Sequence, residues 1–174
     1  MILQPEITTM AYKTGLNFKQ LDKAQAWEKI RHYCAYQERC HSEVKEKLNE
    51  FGMDYSESEQ LISRLIEENY LNEERFAIHY AGGHFRMRKW GKVKITHALR
   101  QKGVSAFCIK KAIADIDQDE YFAVLEKLAG EKWKTIKTGT LYVKRFKCKQ
   151  YLLQKGYESN LADEVLKNKI ADIK

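Results

Sequence analysis

Hydrophobic positions along the chain fall into three segments that share one pattern and end in the same way. Each segment carries an apolar residue eight positions before a glycine and a leucine four positions before it. The glycines and their preceding apolar residues are Gly52 with Val44 and Leu48, Gly103 with Ile95 and Leu99, and Gly156 with Cys148 and Leu152. Spacings of four place both side chains on one stripe of an α-helix. Glycine then tolerates the left-handed conformation that ends many helices. We therefore predict three copies of one helical unit.

A second amphipathic segment follows each glycine. Its apolar positions are Leu61, Ile62, Leu65 and Ile66 in the first unit, Ile109, Ala112, Ile113 and Ile116 in the second, and Leu161, Val165, Leu166 and Ile170 in the third. Ser56 and Glu59 have the spacing of a capping box, which predicts where the first of these helices begins. Ser105 predicts the beginning of the second, because serine oxygens accept the free N–H groups of a first turn.

A more aromatic helix is predicted before each glycine helix. Its apolar stripe is Trp27, Ile30 and Cys34 in the first unit, Phe76 and Tyr80 in the second, and Phe122, Leu125, Ala129 and Trp133 in the third. Asp117 and Glu120 form a capping-box pair before the last of these helices. At helical spacing such aromatic residues are expected in the core, so we assign them no ligand.

Three helices per unit predict an all-α protein of three tandem three-helix repeats that form an elongated, curved array. We place the repeats at residues 23–70, 71–116 and 117–174, and call them repeat 1, repeat 2 and repeat 3. Residues 1–22 have weaker periodicity and are expected to be a partly disordered N-terminal extension. The third unit is longer in its first half, where the stretch from Lys134 to Tyr142 is predicted to be an added loop.

Composition agrees with a helical protein outside the membrane. The only proline is Pro5, so no later helix is interrupted by a missing N–H group. No apolar run approaches the roughly 20 residues that a membrane span requires. The first ten residues lack the charged start and apolar core of a secretory signal. We expect a cytoplasmic protein with no membrane contact.

Cysteine and histidine spacing predicts neither a metal site nor a catalytic site. The four cysteines, Cys34, Cys40, Cys108 and Cys148, contain no C-x-x-C pair, so buried, reduced thiols are expected. His32 and His41 flank the first two cysteines, but this spacing matches no zinc pattern. The sequence contains no phosphate-binding loop and no hydrolase or metalloprotease motif. We therefore predict no cofactor and no enzymatic activity.

Positive charge is concentrated in the second and third repeats. The formal net charge is +7, which divides into −3 over residues 1–70, +7 over residues 71–116 and +3 over residues 117–174. No Asp or Glu occurs between Glu74 and Asp115, or between Glu131 and Glu158. A solvated helix usually mixes its charges, because like charges one turn apart repel. The two acid-free stretches predict a continuous basic surface that binds a polyanion or an acidic partner. A merely solvated face is the alternative.

Trp90 lies inside the first acid-free stretch, in the run Arg86-Met-Arg88-Lys89-Trp90-Gly91. A tryptophan among cations can stack on a nucleobase or on a side chain of a partner. It can equally fill the junction between two helices. The sequence leaves both roles open.

The central stretch resembles the signature of the RecX family. The resemblance lies in Leu71-Asn-Glu-Glu-Arg75-Phe76-Ala77, in the run around Trp90, and in Lys94-Ile95 followed by Leu99 and Lys102-Gly103-Val104. Upstream, Arg39, His41-Ser42 and Lys47-Leu48 resemble the motif of the family's first repeat. The resemblance covers residues from about 25 to 170. Two features depart from it: Gly82-Gly83 falls within a predicted helix, and Lys94 stands where arginine is common.

The resemblance implies a regulator that binds the RecA recombinase filament on single-stranded DNA. Such a protein suppresses the ATPase, strand-exchange and coprotease activities of RecA and so modulates recombination and the SOS response. We expect it to act as a monomer. Arg75 matches a basic position of the motif and is expected either to contact the partner or to lock a helix start. The residues expected to bind RecA or DNA are Arg86, Arg88, Lys89, Trp90, Lys92, Lys94, Arg100, Lys102, Lys144, Arg145 and Lys147.

Two other functions fit the same residues. One is a helical DNA-binding protein or transcription regulator, with a helix-turn-helix between Gly91 and Ile116. Sequence-specific readers need side chains that match base edges, and this stretch is rich in Arg and Lys but has few Asn or Gln residues. The other is a protein-interaction scaffold that makes no contact with DNA.

Overall fold

Nine α-helices run through residues 21–171, the part of the chain that this computed structural model describes, and no strand occurs there. The helices are α1 (Lys23–Tyr36), α2 (His41–Glu50), α3 (Tyr55–Glu67), α4 (Glu73–Arg88), α5 (Lys92–Gln101), α6 (Ala106–Ala114), α7 (Gln118–Thr135), α8 (Leu141–Lys155) and α9 (Ser159–Ala171). The prediction of an all-α repeat fold is confirmed. The predicted disorder of the N-terminal extension falls almost entirely on residues 1–20, which lie outside the described part.

The three repeat glycines end their helices as predicted. Gly52, Gly103 and Gly156 have φ angles of 82°, 76° and 91°, in the left-handed region that glycine adopts without a Cβ clash. The apolar residues four and eight positions before each glycine are fully buried. Each middle helix, α2, α5 or α8, therefore presents the same stripe to the core of its unit.

Helix starts follow local capping chemistry, with one correction. The Ser105 hydroxyl accepts the Cys108 N–H at 3.3 Å, and the Asp117 carboxylate accepts the Glu120 N–H at 2.7 Å. The predicted capping box of Ser56 and Glu59 is wrong. Asp54 caps α3 instead, accepting the Glu57 N–H at 2.8 Å, while the Glu57 carboxylate accepts the Asp54 N–H at 3.1 Å. An aspartate two residues upstream of the serine begins the helix earlier.

The added loop of the third unit is shorter than predicted. Helix α7 continues to Thr135, and α8 begins at Leu141, so that only residues 136–140 connect them. Trp133 is buried and packs the last turn of α7 onto the core. Thr140 accepts the Val143 N–H at 3.4 Å and caps α8. The loop prediction was wrong at both ends because the buried tryptophan and the threonine cap each extend a helix.

Two hydrophobic cores hold the nine helices. One lies within the first three helices and is built around Trp27, Ile30 and Leu65. The other is shared by the remaining six helices, from Phe76 on α4 to Leu166 on α9. Cys40, at the start of α2, packs into this larger core although Cys34 packs into the smaller one. The first unit therefore contacts the second through the beginning of α2.

The first turn of α5 is bonded to the last turn of α8. The Gly91 and Val93 N–H groups donate to the Lys155 and Gly156 carbonyls at 2.8 and 3.0 Å. The Lys92 N–H donates to the buried Tyr121 hydroxyl at 3.0 Å. The free N–H groups that begin a helix are thus satisfied by the neighbouring unit, with the positive end of one helix dipole against the negative end of another. We call this contact the α5–α8 joint.

A related joint connects the start of α2 to the end of α5. The Ser42 hydroxyl donates to the Lys102 carbonyl at 2.9 Å, and the Lys102 ammonium pairs with Glu43 at 2.6 Å. Lys102 and Lys155 each precede a repeat glycine. In both joints the carbonyl of the residue before that glycine accepts a hydrogen bond from the start of the preceding middle helix.

Candidate polyanion interface

The turn between α4 and α5 places Trp90 at the centre of the predicted site. Lys89 ends α4 with φ 54°, a left-handed conformation that is strained for a residue with a Cβ atom. Its N–H donates to the Phe85 carbonyl at 2.9 Å. This turn brings Trp90 back against α4, where it packs half-buried on the large core.

Trp90 continues a column of rings along α4. Its ring centroid lies 4.6 Å from that of His84, which in turn stacks on Tyr80 at 3.9 Å. His84 Nδ1 donates to the Tyr80 carbonyl at 2.9 Å. Burial lowers the pKa of His84, and the charges of Arg88 and Lys102 lower it further, so the ring is neutral at pH 7. A neutral ring can remain in this apolar stack.

Two cations cover Trp90. The Arg88 guanidinium carbon lies 5.5 Å from the ring centroid, and Lys94 Nζ lies 4.8 Å from it. Both distances allow a cation–π interaction. Lys94 Nζ also donates to the Gln154 carbonyl at 3.4 Å, across the α5–α8 joint. Trp90 therefore both fills the junction of two helices and presents a ring beside exposed cations, so the structure is compatible with both roles considered from the sequence.

The same alternation of cations and rings continues onto repeat 3. Lys132 Nζ and Lys155 Nζ lie 5.2 and 5.9 Å from the Tyr151 ring centroid, and Lys144 Nζ lies 5.0 Å from that of Trp133. Lys132 and Lys155 belong to the second acid-free stretch, although its spacing alone did not single them out as contacts. The sequence signal for Tyr151 is only its place between these two lysines.

The predicted site residues differ in exposure. Those that are exposed are Arg86, Arg88, Lys94, Arg100 and Lys147, and those that are half-buried are Lys89, Trp90, Lys92, Lys102, Lys144 and Arg145. Lys102 is paired with Glu43, and Arg145 lies 3.4 Å from Asp163. The other cations of this set have no ion pair with a carboxylate of residues 21–171.

The cations of α5 point in two directions. Side chains two residues apart on a helix differ by about 200° in direction, so Lys92 and Lys94 face different sides. Lys92 and Arg100 line a cleft of about 370 Å³ on the outer side of α5, together with Glu158. Lys94 lies beside Trp90 and α8. The structure thus brings Arg88, Trp90 and Lys94 together and places Lys92 and Arg100 on a separate face.

Arg75 is bound within the protein. Its guanidinium forms an ion pair with Glu38 and donates to the Asn69 side-chain and main-chain oxygens, each at 3.1 Å. These bonds tie the loop before α2 and the loop before α4 to the start of α4. Of the two roles expected for Arg75, the geometry supports the structural one.

Among residues 21–171, no three His, Cys, Asp or Glu side chains lie close enough together to bind a metal ion. The four cysteines there are free and buried. Burial raises the pKa of Cys34 to about 11, which keeps this thiol protonated at neutral pH. Between residues 21 and 171 no helix has the length and hydrophobicity of a membrane span.

Two models of RecX domains match the chain and together cover just over half of it. Residues 72–113 match the second three-helix domain of RecX, and residues 118–166 match the third. The chain is 31% identical over 127 residues to the regulatory protein RecX of Clostridium perfringens, covering 72% of this chain and 59% of that protein. It is 24% identical to the regulatory protein RecX of Lactobacillus gasseri, covering 81% of this chain and 73% of that protein.

A solved structure has the same fold. The crystal structure of RecX from Lactobacillus salivarius superposes with a TM-score of 0.78 at 22% sequence identity, covering 84% of this chain and 96% of that chain.

Proposed function

Because this chain belongs to the RecX family of regulatory proteins, we propose that it binds the RecA filament on single-stranded DNA and inhibits it without catalysis. The inhibited activities are the ATPase, strand-exchange and coprotease activities, so the protein modulates recombination and the SOS response. It acts in the cytoplasm as a monomer. The observation that carries this proposal is that two cations of repeat 2, Arg88 and Lys94, cover the Trp90 ring, and that Lys94 also bonds across the α5–α8 joint to repeat 3.

The mechanism is occupation and bridging. A filament groove lined by phosphates and acidic protein surface attracts a basic face, and several weak contacts along a repeat array add up to tight binding. A rigid array that touches several protomers restricts the relative movement that they need during ATP turnover. The residues proposed to make these contacts are Arg86, Arg88, Lys89, Trp90, Lys92, Lys94, Arg100, Lys102, Lys144, Arg145 and Lys147. Lys102 and Arg145 contribute less to the binding free energy because each already has a carboxylate partner. The exposed cations beside Trp90 contribute most of it.

The direct test is ATP hydrolysis by RecA on single-stranded DNA, titrated with the protein. Hydrolysis falls as the protein is added and reaches a low plateau. Hydrolysis that stays unchanged at saturating protein would overturn the proposal.

A triple variant locates the contact. Replacing Arg86, Arg88 and Lys89 by alanine weakens filament inhibition and leaves the helical circular dichroism spectrum unchanged, because two of the three side chains are exposed. A matched control replaces Lys29, Arg31 and Lys45 of repeat 1, which removes the same charge and retains inhibition. Equal loss in both variants would mean that net charge, and not this surface, drives binding.

Direct regulation through DNA is the second candidate function. Helices α5 and α6 are joined by a short turn, as in a helix-turn-helix. However, α6 (Ala106–Ala114) contains no Arg, Asn or Gln to read base edges, and it packs more extensively on α4 than on any other helix. Binding that selects one duplex sequence would favour this candidate. Binding to any single strand, with a log–log salt slope of about 0.7 per phosphate, favours the filament regulator.

A further inference from the structure

An open cleft runs along α4 on the side that faces repeat 1. It has a volume of about 460 Å³ and lies between the loop residues Gln37 and Glu38 and the helix residues His79, Gly83, Met87 and Arg88. This volume is within the range of about 300–1,000 Å³ that small-ligand sites occupy. The cleft adjoins the Trp90 ring, with which it shares the neighbours His84 and Arg88, and it does not include Lys92 or Arg100.

Gly83 leaves a gap in the middle of the cleft floor. It lies in the interior of α4, where glycine weakens a helix relative to alanine. A Cβ atom on Gly83 would meet nothing within 4 Å, so the packing of the protein does not require glycine here. Gly83 thus leaves open space at the floor of the cleft that a ligand can enter.

The side chains around the gap suit a flat ring. His79 and Met87 lie one helical turn before and after Gly83, and Met87 is 84% exposed. Beside them, the stacked rings of Tyr80 and His84 also line the cleft. Imidazole, thioether and phenol groups all make favourable contacts with aromatic rings.

Charge around the cleft selects an anionic ligand. Arg88 lines one end of the cleft and has no ion pair among the described residues. The one carboxylate in the wall, Glu38, is paired with Arg75. Stacking side chains in a groove with unpaired cations are the arrangement by which proteins hold single-stranded nucleic acid.

We propose that this cleft accepts an unstacked nucleobase of a single strand over Gly83, between His79 and Met87, with the adjoining phosphate at the Arg88 guanidinium. This inference rests on the proposed function, because the DNA of the RecA filament supplies the strand. It adds a base contact to a surface otherwise described by its charge. The contact tolerates any base, since stacking on side chains reads no sequence.

The experiment compares two labelled oligonucleotides of equal length, oligo-dT and an abasic strand with the same phosphates, and uses the full chain without RecA. Anisotropy titrations of the natural protein give tighter binding to oligo-dT by at least about fivefold. Gly83→Leu fills the gap with a good helix former and removes this preference, while its affinity for the abasic strand and its helical content are unchanged. Ser63→Leu, at an exposed position of α3, keeps the preference. Met87→Ala reduces it, and because this side chain is exposed, the variant tests the cleft without disturbing the core.

Equal affinity of the natural protein for the two strands would overturn the inference, as would a preference that survives Gly83→Leu. If Gly83→Leu instead weakens only the inhibition of RecA, the cleft binds protein of the filament and the nucleobase assignment is wrong. Failure of the proposed function is separate: RecA hydrolysis then stays unaffected by the natural protein even though the preference for oligo-dT is present.

Discussion

Gly91 lies so close to Gly156 that a Cβ atom on Gly91 would stand within 3.0 Å of the Gly156 carbonyl carbon and oxygen. The two residues are 65 positions apart and belong to different repeats. The N–H groups of Gly91 and Val93 both donate across this contact. The joint thus depends on a close backbone approach that a larger residue at position 91 prevents.

Gly91→Ala is expected to destabilise the protein by about 2 kcal/mol or more, because the added methyl group must push α5 and α8 apart and break buried hydrogen bonds. Gly83→Ala is the matched control, since its Cβ meets nothing within 4 Å. There the same substitution stabilises the helix by up to about 1 kcal/mol. Urea unfolding followed by circular dichroism measures both. A Gly91→Ala protein as stable as the natural one would show that the joint is not as close as described.

Tyr121 connects three elements at the same joint. Its hydroxyl accepts the Lys92 N–H at 3.0 Å and donates to the Glu158 carboxylate at 2.6 Å, and the side chain is almost fully buried. Burial and the bond to Glu158 raise its pKa, so the hydroxyl stays protonated. Tyr121→Phe leaves the Lys92 N–H without its partner and is expected to cost about 1–3 kcal/mol.

The control for this variant is Tyr142→Phe, in which a side chain that is 78% exposed loses the same hydroxyl. Its free energy of unfolding should change by less than about 0.5 kcal/mol. Thermal unfolding compares the two variants. Equal effects would show that the hydrogen bonds of the Tyr121 hydroxyl do not stabilise this joint.

The helices could be predicted from the sequence because their signals are local. The stripe before Gly52, the cap at Ser105 and the pair at Asp117 each act within one or two turns. The error at Ser56 has the same local origin, since Asp54 competes for the same first turn. The role of Gly91 could not be predicted, because it depends on a backbone approach to Gly156 from another repeat.

For the candidate site, too, local features could be predicted from the sequence and contacts between repeats could not. Charge patterning predicted Arg88 and Lys94 as contacts and drew attention to Trp90 between them, and the fold brings the three together. It could not show that Glu43 neutralises Lys102, because these two residues are 59 positions apart in the chain. The cleft at Gly83 could not be predicted from the sequence either, because the wall opposite α4 comes from repeat 1.

The pair of Glu43 and Lys102 makes the joint between repeats 1 and 2 sensitive to acid. Burial alone would raise the pKa of Glu43, but hydrogen bonds from Lys102 and from the Cys40 N–H bring it below its ordinary 4.5. A carboxylate with a lowered pKa in the folded state stabilises that state above its unfolded pKa. This stabilisation is lost as the pH falls through the lowered value.

Glu43→Gln is therefore expected to lower the free energy of unfolding by about 1 kcal/mol at pH 7. Glutamine can still bond the Cys40 N–H as a capping-box residue, so the variant removes mainly the charge. The difference from the natural protein should shrink as the pH falls below 4.5, and urea unfolding across this range measures it. Glu46→Gln, at an exposed position on the same helix, is the control. A difference that is constant with pH would mean that the charge of Glu43 does not contribute.

Lys94 separates binding from stability. It is the third residue of α5, as Glu43 is the third residue of α2. Each of the two lies at a joint whose other side carries the lysine before a repeat glycine, which is Lys155 for Lys94 and Lys102 for Glu43. Lys94→Glu loses the contact with Trp90 but places a carboxylate in the first turn of α5, where the helix dipole favours it, near a lysine that it can pair with. These effects offset each other, so the free energy of unfolding should change by less than about 1 kcal/mol.

The charge beside Trp90 changes by two units, which should weaken RecA inhibition and oligonucleotide binding by about tenfold at low salt. Lys127→Glu, at an exposed position of α7, makes the same change of net charge and should leave both activities within about twofold of the natural protein. Equal losses in the two variants would place the effect in net charge, and a large fall in melting temperature for Lys94→Glu alone would show that this lysine holds the joint together.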